Sequence, residues 1–289
     1  MNAYNRKGEW LSIALPAPVE LTYEAVSSVI PMIPKMWNKL KANGGVRMQG
    51  TRLMLHLFPS EHDSPPITPE WGELTIAYED DYCLVVVKSV GMPVHGITAN
   101  QPGTLAGRVA AYYAETGQAC RVRHIHRLDV DTSGLVLYAK NEWAHQQLDE
   151  QMRAKSIHRT YLAVAEGRFS RKKGTINQPI GRDRHHNARR RVSSSGDAAV
   201  THYKVMEQFS HGALVELSLE TGRTHQIRVH LSYLGHPLIG DKLYGGSDKL
   251  LSHQALHGYK LSFTHPLTAD LIEVEAPLPN EIEQVMKQL

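Results

Sequence analysis

The residues of this chain best suited to acid–base or nucleophilic chemistry lie around Asp129. Asp129 ends the string His126–Asp129 and precedes the turn-forming residues Thr132–Gly134 and the apolar run Leu135–Ala139, which predicts a buried strand. Burial raises the pKa of a carboxyl group, whereas a neighbouring cation lowers it. The questions are therefore which cation pairs with Asp129 and what the ionised carboxylate does.

Two other roles for Asp129 are compatible with the sequence. An Asp before a Thr-Ser-Gly turn often caps that turn with its side chain. If the segment is extended, Asp131 lies on the same face as Asp129. The two carboxylates would then titrate as a unit, as in a glycoside hydrolase.

A second polar block, Thr221–His230, carries the cation most suited to pair with this carboxylate. A helix is predicted over Thr224–Leu234, and Arg228 lies beside its apolar stripe, so it can face either the core or solvent. Its planar guanidinium stays charged and can hold a carboxylate through two hydrogen bonds. The block continues into Gly235–Asp241 and Leu243–Gly245.

Together, these blocks resemble the catalytic motifs of the RluA-type pseudouridine synthases. The resemblance covers about residues 73–280 and includes Lys88–His95, where Ser89 replaces a commoner proline. It implies the pseudouridine synthase fold and an isomerase that converts specific uridines of structured RNA into pseudouridine. Large-subunit ribosomal RNA and transfer RNA are both substrates in this family, and nothing local in the sequence separates them.

The resemblance also implies catalytic roles. Asp129 corresponds to the essential carboxylate and Arg228 to the cation that pairs with it. Tyr161, on a predicted strand over Thr160–Ala165, corresponds to the tyrosine that stacks on the target base and helps to move the proton at carbon 5. Arg127 corresponds to the arginine that enters the space vacated by the flipped uridine; clamping a phosphate is its alternative. Asp129 could attack the sugar, attack the base or remove a sugar proton, and the sequence leaves the three open.

Other motif residues are expected to shape the pocket or to contact RNA. Leu128 and Ile227 would form its apolar wall. His126 and His225 are expected to orient loops by hydrogen bonds, and Arg223 to lie at the RNA interface.

Pseudouridine formation needs no redox chemistry, metal or external cofactor. It does require the base to leave its stack, at a cost of about a few kcal/mol. The 17 histidines invite a metal interpretation, but the pairs His124/His126 and His225/His230 lack the carboxylate or cysteine neighbours of known metal sites. We therefore predict neither a metal nor a cofactor.

Positive charge is concentrated in one segment. The net charge is +3, but Arg153–Arg191 holds twelve Lys or Arg and two acids, so it carries +10 and the remainder −7. Such asymmetry is typical of a surface that binds a polyanion, although a solvated basic face is the alternative. Gly181–Gly196 lacks periodicity and predicts a mobile basic loop, whose Arg189, Arg190 and Arg191 would contact RNA phosphates.

The spacing of elements predicts an α+β fold with a mixed, largely antiparallel central sheet and flanking helices. Residues 73–289 would form the catalytic domain and residues 1–72 a small N-terminal domain, with a proline-rich linker at about 60–72. In the small domain, a helix over Lys35–Ala42 and strands over Val46–Met48 and Leu53–Phe58 faintly resemble the alpha-L RNA-binding domain. A unit that only packs on the catalytic domain is the alternative.

Composition points to an ordinary soluble chain, 42% hydrophobic and 21% charged. With no apolar run of about 20 residues, no secretory signal and no paired spacing of Cys83 and Cys120, we expect a cytoplasmic protein without membrane contact, and a monomer. Two rival functions are a catalytically silent RNA-binding protein on the same scaffold, and a glycoside or nucleoside hydrolase that uses Asp129 with Asp131.

Overall fold

The computed structural model describes residues 3–98 and 101–289. The strands are β1 (Ala3–Lys7), β2 (Trp10–Ala14), β3 (Val46–Gln49), β4 (Arg52–Leu55), β5 (Thr75–Glu79), β6 (Cys83–Lys88), β7 (Arg123–His124), β8 (Ser133–Ala139), β9 (His158–Glu166), β10 (Lys173–Asn177), β11 (Ile180–Arg182), β12 (Arg190–Val192), β13 (Val200–Gln208), β14 (Gly212–Leu219), β15 (Leu256–Thr264) and β16 (Leu271–Glu275). The helices are α1 (Tyr23–Ser27), α2 (Pro34–Ala42), α3 (Leu105–Glu115), α4 (Glu142–Arg153), α5 (Gln226–Tyr233) and α6 (Asn280–Met286).

One large sheet organises the chain from β5 onward. Its main path has the order β10-β13-β14-β9-β15-β8-β6-β5, with β7 added to β8 and β16 to β15. Within the described ranges all pairings of this sheet are antiparallel except β15 with β8. The predicted α+β fold with a mixed, largely antiparallel sheet is confirmed.

The parallel pairing of β8 with β15 depends on two glycines. Gly134 lies opposite Gly258, and a Cβ at Gly134 would come within 2.4 Å of the Gly258 backbone. Gly134 also has a φ of +124°, which L side chains rarely adopt. Because Gly134 lies five residues after Asp129, this close backbone approach fixes where the Asp129 loop leaves the sheet.

Both faces of the sheet are covered. Alternate residues of β6 point to opposite sides, so Leu84 packs with Val109 of α3, and Val85 packs with Trp143 of α4. β6 is therefore buried on both faces. Ile227 of α5 packs on the α3 side, which leaves the loop before α5 free to reach the Asp129 loop.

The N-terminal part forms its own four-stranded antiparallel sheet in the order β1-β2-β4-β3. Its buried side chains Leu11 and Leu55 belong to the same apolar cluster as Trp143, whose indole N–H donates to the Pro31 carbonyl at 2.7 Å. The predicted helix and two strands are present as α2, β3 and β4, whereas β1, β2 and α1 were not predicted. That residues 1–72 are a separate domain stays a prediction, and residues 1–2 lie outside the described residues.

The prediction of an irregular loop at Gly181–Gly196 is wrong. β11 and β12 form an antiparallel hairpin there, with Arg182 opposite Arg190. The guanidinium of Arg189 binds the carboxylate of Asp183 at 2.7 Å, and Ile180 packs in an apolar cluster with Tyr244. These contacts order a segment whose composition alone is typical of a loop.

No helix in the described part of the chain is long and apolar enough to cross a lipid bilayer.

Candidate active site

Asp129 lies in a tight turn between β7 and β8. The N–H of Thr132 donates to the Asp129 carbonyl at 3.1 Å, so residues 129–132 turn rather than extend. Asp131 is exposed and, unlike Asp129, does not line the cleft that also contains Tyr161, so the two carboxylates form no glycosidase-like pair in that cleft. Both residues line a second, smaller cleft. The side chain of Asp129 is 22% exposed and lines a cleft.

A buried lysine stabilises this turn through hydrogen bonds to backbone carbonyls. The ammonium of Lys88, at the end of β6, donates to the carbonyls of Val130 at 2.7 Å, Met92 at 2.7 Å and Ser89 at 2.8 Å. Burial lowers the pKa of Lys88 to about 8, against the opposing charges of Asp131 and Asp129. The lysine therefore ties the residue after Asp129 to the loop that follows β6.

Arg228 of α5 is the cation beside Asp129. Its Nη1 lies 3.2 Å from Asp129 Oδ2. Its Nε and Nη2 bind the two carboxylate oxygens of Asp241 at 2.7 and 2.9 Å, so the bidentate contact goes to Asp241 and a single donor is left for Asp129. Burial by itself would lower the pKa of Arg228, but hydrogen bonds and charge from Asp241 and Asp129 raise it. Arg228 is therefore a fixed, permanently charged group.

Asp241 was not among the predicted site residues. It is buried, 2% exposed, and fixes the plane of the Arg228 guanidinium. Its signal in the sequence was its place at the end of the Gly235–Asp241 part of the second motif, but no sequence pattern showed that it would face Arg228.

His225 and Tyr244 lie beside the Asp129–Arg228 pair. His225 occupies the N-cap of α5 in the left-handed conformation, with φ of 59°. Its Nε2 lies 3.9 Å from Asp129 Oδ2, and its Nδ1 shares a hydrogen bond with the Tyr244 hydroxyl at 2.8 Å. Burial lowers the pKa of His225, although the Asp129 charge opposes this effect. Tyr244, also unpredicted, accepts a hydrogen bond from the Arg190 N–H at 2.9 Å and so links the hairpin to the site.

The residues before Asp129 alternate between the core and the cleft. His126 is buried and its Nε2 accepts a hydrogen bond from the Leu137 N–H at 3.3 Å. Burial lowers the pKa of His126 to about 3, so the ring is neutral and suited to that acceptor role. Leu128 is buried, whereas Arg127 between them is exposed.

Tyr161 of β9 faces the same cleft and is 5% exposed. Burial raises the pKa of Tyr161, so its phenol stays protonated around neutral pH. Ile227 also lines the cleft. The structure thus brings together the predicted pocket residues, with the apolar Leu128 and Ile227 beside the polar Asp129 and Arg228.

The cleft itself has a volume of about 870 Å³. A second cleft of about 600 Å³ lies next to it. The two clefts share a wall of five residues: Arg127, Leu128, Asp129, His225 and Arg228. The Asp129–Arg228 pair therefore has accessible space on two sides.

The remaining residues predicted to contact RNA are Arg223, which lies near the Asp129–Arg228 pair, and three arginines of the hairpin. Arg223 lines the larger cleft and donates through Nε to the Ala198 carbonyl at 3.1 Å. Arg189, Arg190 and Arg191 lie on the β11–β12 hairpin, and in the described part of the chain they line neither cleft. They belong to a neighbouring surface that Tyr244 connects to the site.

Within residues 3–98 and 101–289, no group of three or more His, Cys, Asp or Glu side chains is placed to hold a metal ion.

The chain is similar in sequence to RNA pseudouridine synthases. Residues 81–233 match the model of the RNA pseudouridylate synthase family, a range that includes Asp129, Tyr161 and Arg228. RNA pseudouridine synthase YhcT of Bacillus subtilis (strain 168), a protein described as uncharacterized, is 46% identical over 283 residues, which are 97% of this chain and 93% of that protein. Ribosomal large subunit pseudouridine synthase D of Neisseria meningitidis serogroup B is 40% identical over 253 residues, which are 83% of this chain and 67% of that protein.

Solved structures agree. Human RNA Pseudouridylate Synthase Domain Containing 1 superposes with a TM-score of 0.60 at 26% identity, covering 76% of this chain and 96% of that one. Human RNA Pseudouridylate Synthase Domain Containing 4 shares the fold, with a TM-score of 0.61 at 24% identity over 74% of this chain and 92% of that one. The family match over more than half of the chain and the 46% identity across nearly all of it show that this protein belongs to the RluA-type RNA pseudouridine synthases.

Proposed function

We propose that this protein converts uridine to pseudouridine in large-subunit ribosomal RNA and that Asp129 is its catalytic carboxylate. The observation that carries the assignment is the Asp129–Arg228 pair, 3.2 Å apart, on the wall of a cleft that also contains the buried Tyr161. A carboxylate held beside a fixed guanidinium in a partly buried cleft is suited to act on a nucleoside.

The reaction conserves every atom of the nucleotide. The bond from C1′ to N1 breaks, the base turns, C5 bonds to C1′, and the proton on C5 is lost while N1 gains one. Asp129 acts at the nucleoside, and Arg228 holds its carboxylate in position through the 3.2 Å contact. Tyr161 keeps its phenol protonated and, beside the base, would contact the ring and assist proton movement at C5.

Base flipping is assigned to Arg127. Its side chain is exposed, lies two residues before Asp129 in sequence, and contributes to the wall between the two clefts. From there it can occupy the gap that the everted uridine leaves in the RNA helix. Leu128 and Ile227 would pack against the base inside the cleft, where apolar surface excludes water.

Phosphate contacts are assigned to Arg223 and to the hairpin residues Arg189, Arg190 and Arg191. Arg191 is exposed, and Arg190 is tied to the site through Tyr244. Arg189 also binds Asp183, so we expect it to contribute less than its neighbours. His126 and His225 would hold the two catalytic loops in place through the hydrogen bonds described above.

The choice of ribosomal RNA is supported by the Neisseria meningitidis relative, whose name states that it acts on the large ribosomal subunit. Transfer RNA is the alternative outcome of the test. We further propose that the protein acts as a monomer in the cytoplasm.

Mapping of pseudouridines in total RNA, with and without the gene, tests the proposal. We expect one or a few ribosomal positions to lose the modification, and complementation with the wild-type gene but not with Asp129→Asn to restore it. In vitro, Asp129→Asn should abolish turnover yet bind RNA within a few-fold of wild type, because phosphate contacts dominate affinity. Lost sites confined to transfer RNA would replace the proposed substrate. Wild-type turnover by Asp129→Asn would exclude Asp129 as the catalyst, and release of free uracil by the wild-type protein would indicate a hydrolase.

A further inference from the structure

Arg159 lies in the cleft without a partner. It precedes Tyr161 by two residues on β9, so both side chains project to the same face of the strand, and both line the cleft. The Nε of Arg159 is buried with no hydrogen-bond acceptor. Across residues 3–98 and 101–289, no group accepts a hydrogen bond or forms an ion pair with this guanidinium. A buried donor left unpaired is costly, so its persistence points to an acceptor supplied from outside.

The backbone leaves room for this guanidinium. A Cβ at Gly222 would lie 3.3 Å from both Nη1 and Nη2 of Arg159, so the guanidinium packs directly against the loop before α5. The positive charge of Arg159 acts to lower the pKa of two residues that line the cleft. Burial is the main reason that the pKa of His126 is lowered, and Arg159 adds to that effect. Arg159 also offsets part of the rise in the pKa of Tyr161 that burial causes.

The acids that line the cleft are already engaged. Among the described lining residues, Asp129 binds Arg228, and Glu220 binds His202 at 2.6 Å. The counter-charge for Arg159 must therefore come with the ligand. Side chains two residues apart on one strand are separated by about 7 Å, which is similar to the distance between a nucleotide's base and its own phosphate. If Tyr161 lies at the base, Arg159 lies at the phosphate.

We propose that Arg159 is a positioning residue that binds a phosphate group attached to the ribose of the everted target nucleotide. The proposal rests on the proposed function. A guanidinium matches a phosphate through two parallel hydrogen bonds, which would fix the sugar relative to Asp129 as well as neutralise its charge.

A chemical double-mutant cycle tests this contact. Synthetic stem-loops carrying the mapped uridine are made with the natural linkages, or with a neutral methylphosphonate at the linkage 5′ or 3′ of that uridine. Single-turnover rates and affinities are measured for wild type and Arg159→Met. With wild type, one of the two methylphosphonates should lower the rate at subsaturating enzyme by about 10- to 100-fold. Arg159→Met should show a similar loss with natural RNA and little further loss with that methylphosphonate.

Two more variants keep the test valid if Arg159→Met folds poorly. Arg159→Lys retains a point charge and should restore part of the rate without full bidentate binding. Gly222→Ala leaves Arg159 in place but displaces its guanidinium, and should reduce the sensitivity to methylphosphonate. Arg121→Met, which removes an exposed arginine paired with Asp63 outside both clefts, should behave as wild type.

Equal methylphosphonate losses in wild type and Arg159→Met at both linkages would overturn the proposal and place Arg159 on the base or in a structural role. The same holds if neither methylphosphonate affects the wild-type protein. If wild type isomerises no uridine in any RNA, the proposed function fails by itself. The phosphate contact is then tested with uridine and uridine 3′,5′-bisphosphate: tighter binding of the bisphosphate by wild type but not by Arg159→Met supports it, and equal binding of the two compounds by wild type refutes it.

Discussion

Asp241→Asn is the substitution that most directly tests how the site is held together. Asp241 is 2% exposed and gives both of its carboxylate oxygens to Arg228. Asparagine preserves the size of the side chain and one acceptor oxygen, but it loses the charge and turns an NH₂ group toward a guanidinium donor. The buried guanidinium would then keep a single charged partner, Asp129, which already accepts from Nη1.

The expected cost follows from these contacts. Losing one charge-assisted hydrogen bond and part of the charge compensation of a buried arginine should lower the free energy of unfolding by about 3 kcal/mol. In a protein of this size each kcal/mol corresponds to about 2–4 °C, so Tm should fall by about 6–12 °C. We also expect kcat to fall by at least about tenfold, because Arg228 would be free to rotate toward Asp129 and pull its carboxylate out of position.

The assay combines thermal unfolding with single-turnover pseudouridine formation at saturating enzyme. Asp248→Asn is the matched control, since Asp248 is an exposed aspartate whose partner is Lys242, and we expect neither Tm nor kcat to change. If Asp241→Asn keeps wild-type Tm and kcat, then Asp241 does not fix Arg228, and the account of the site as a three-residue Asp–Arg–Asp network is wrong.

Three further predictions concern the sheet, the buried histidine and the hairpin. Gly134→Ala should lower the free energy of unfolding, measured in urea, by more than about 3 kcal/mol, because its Cβ would clash with Gly258. Gly91→Ala, also at positive φ but with open space around it, should lower it by only about 1–2 kcal/mol. Equal losses in the two variants would mean that the clash is relieved. Burial lowers the pKa of His126 to about 3, so the unfolded chain binds the proton more tightly and stability is lost as pH falls from 6.5 toward 3. In urea titrations, the free energy of unfolding should decrease by about 2 kcal/mol between pH 6.5 and 5, and this decrease should be absent in His126→Asn. The same pH dependence in both proteins would show that His126 is not protected from protonation. Replacing Arg189, Arg190 and Arg191 with Ala should reduce the slope of log affinity against log salt concentration by about two rather than three, because Arg189 is already paired with Asp183. Lys260→Ala, which removes a lysine paired with Glu273, is the control. An unchanged slope in the triple variant would mean that the hairpin points away from RNA.

Local patterns predicted the parts of the site that one segment determines. The turn-forming residues Thr132–Gly134 and the apolar run Leu135–Ala139 correctly placed Asp129 before a buried strand. The apolar stripe of the helix predicted at Thr224–Leu234 likewise indicated burial, although α5 is buried on more than one face, from Gln226 to Leu231. These features need only short-range periodicity, which is visible in a single sequence.

Contacts between distant segments were not predictable in the same way. Arg228 was expected to hold Asp129 with its planar fork, yet the fork is occupied by Asp241, which reaches it only because the chain turns back after α5. The Arg159 guanidinium packs against the loop at Gly222, more than 60 residues away in sequence. The hairpin was mistaken for a loop because its order comes from Tyr244 and Asp183 and not from its own periodicity.

The pairing of β8 with β15 has a consequence for how the protein matures. The carboxylate loop is synthesised early, but the strand that clamps its base contains Gly258, and the arginine that neutralises it is residue 228. Because the ribosome releases the N-terminal parts of a chain first and long-range pairings form late, a nascent chain shorter than about 258 residues would lack a finished centre. Newly made protein thus gains the capacity to modify RNA only after the strand that contains Gly258 has been synthesised.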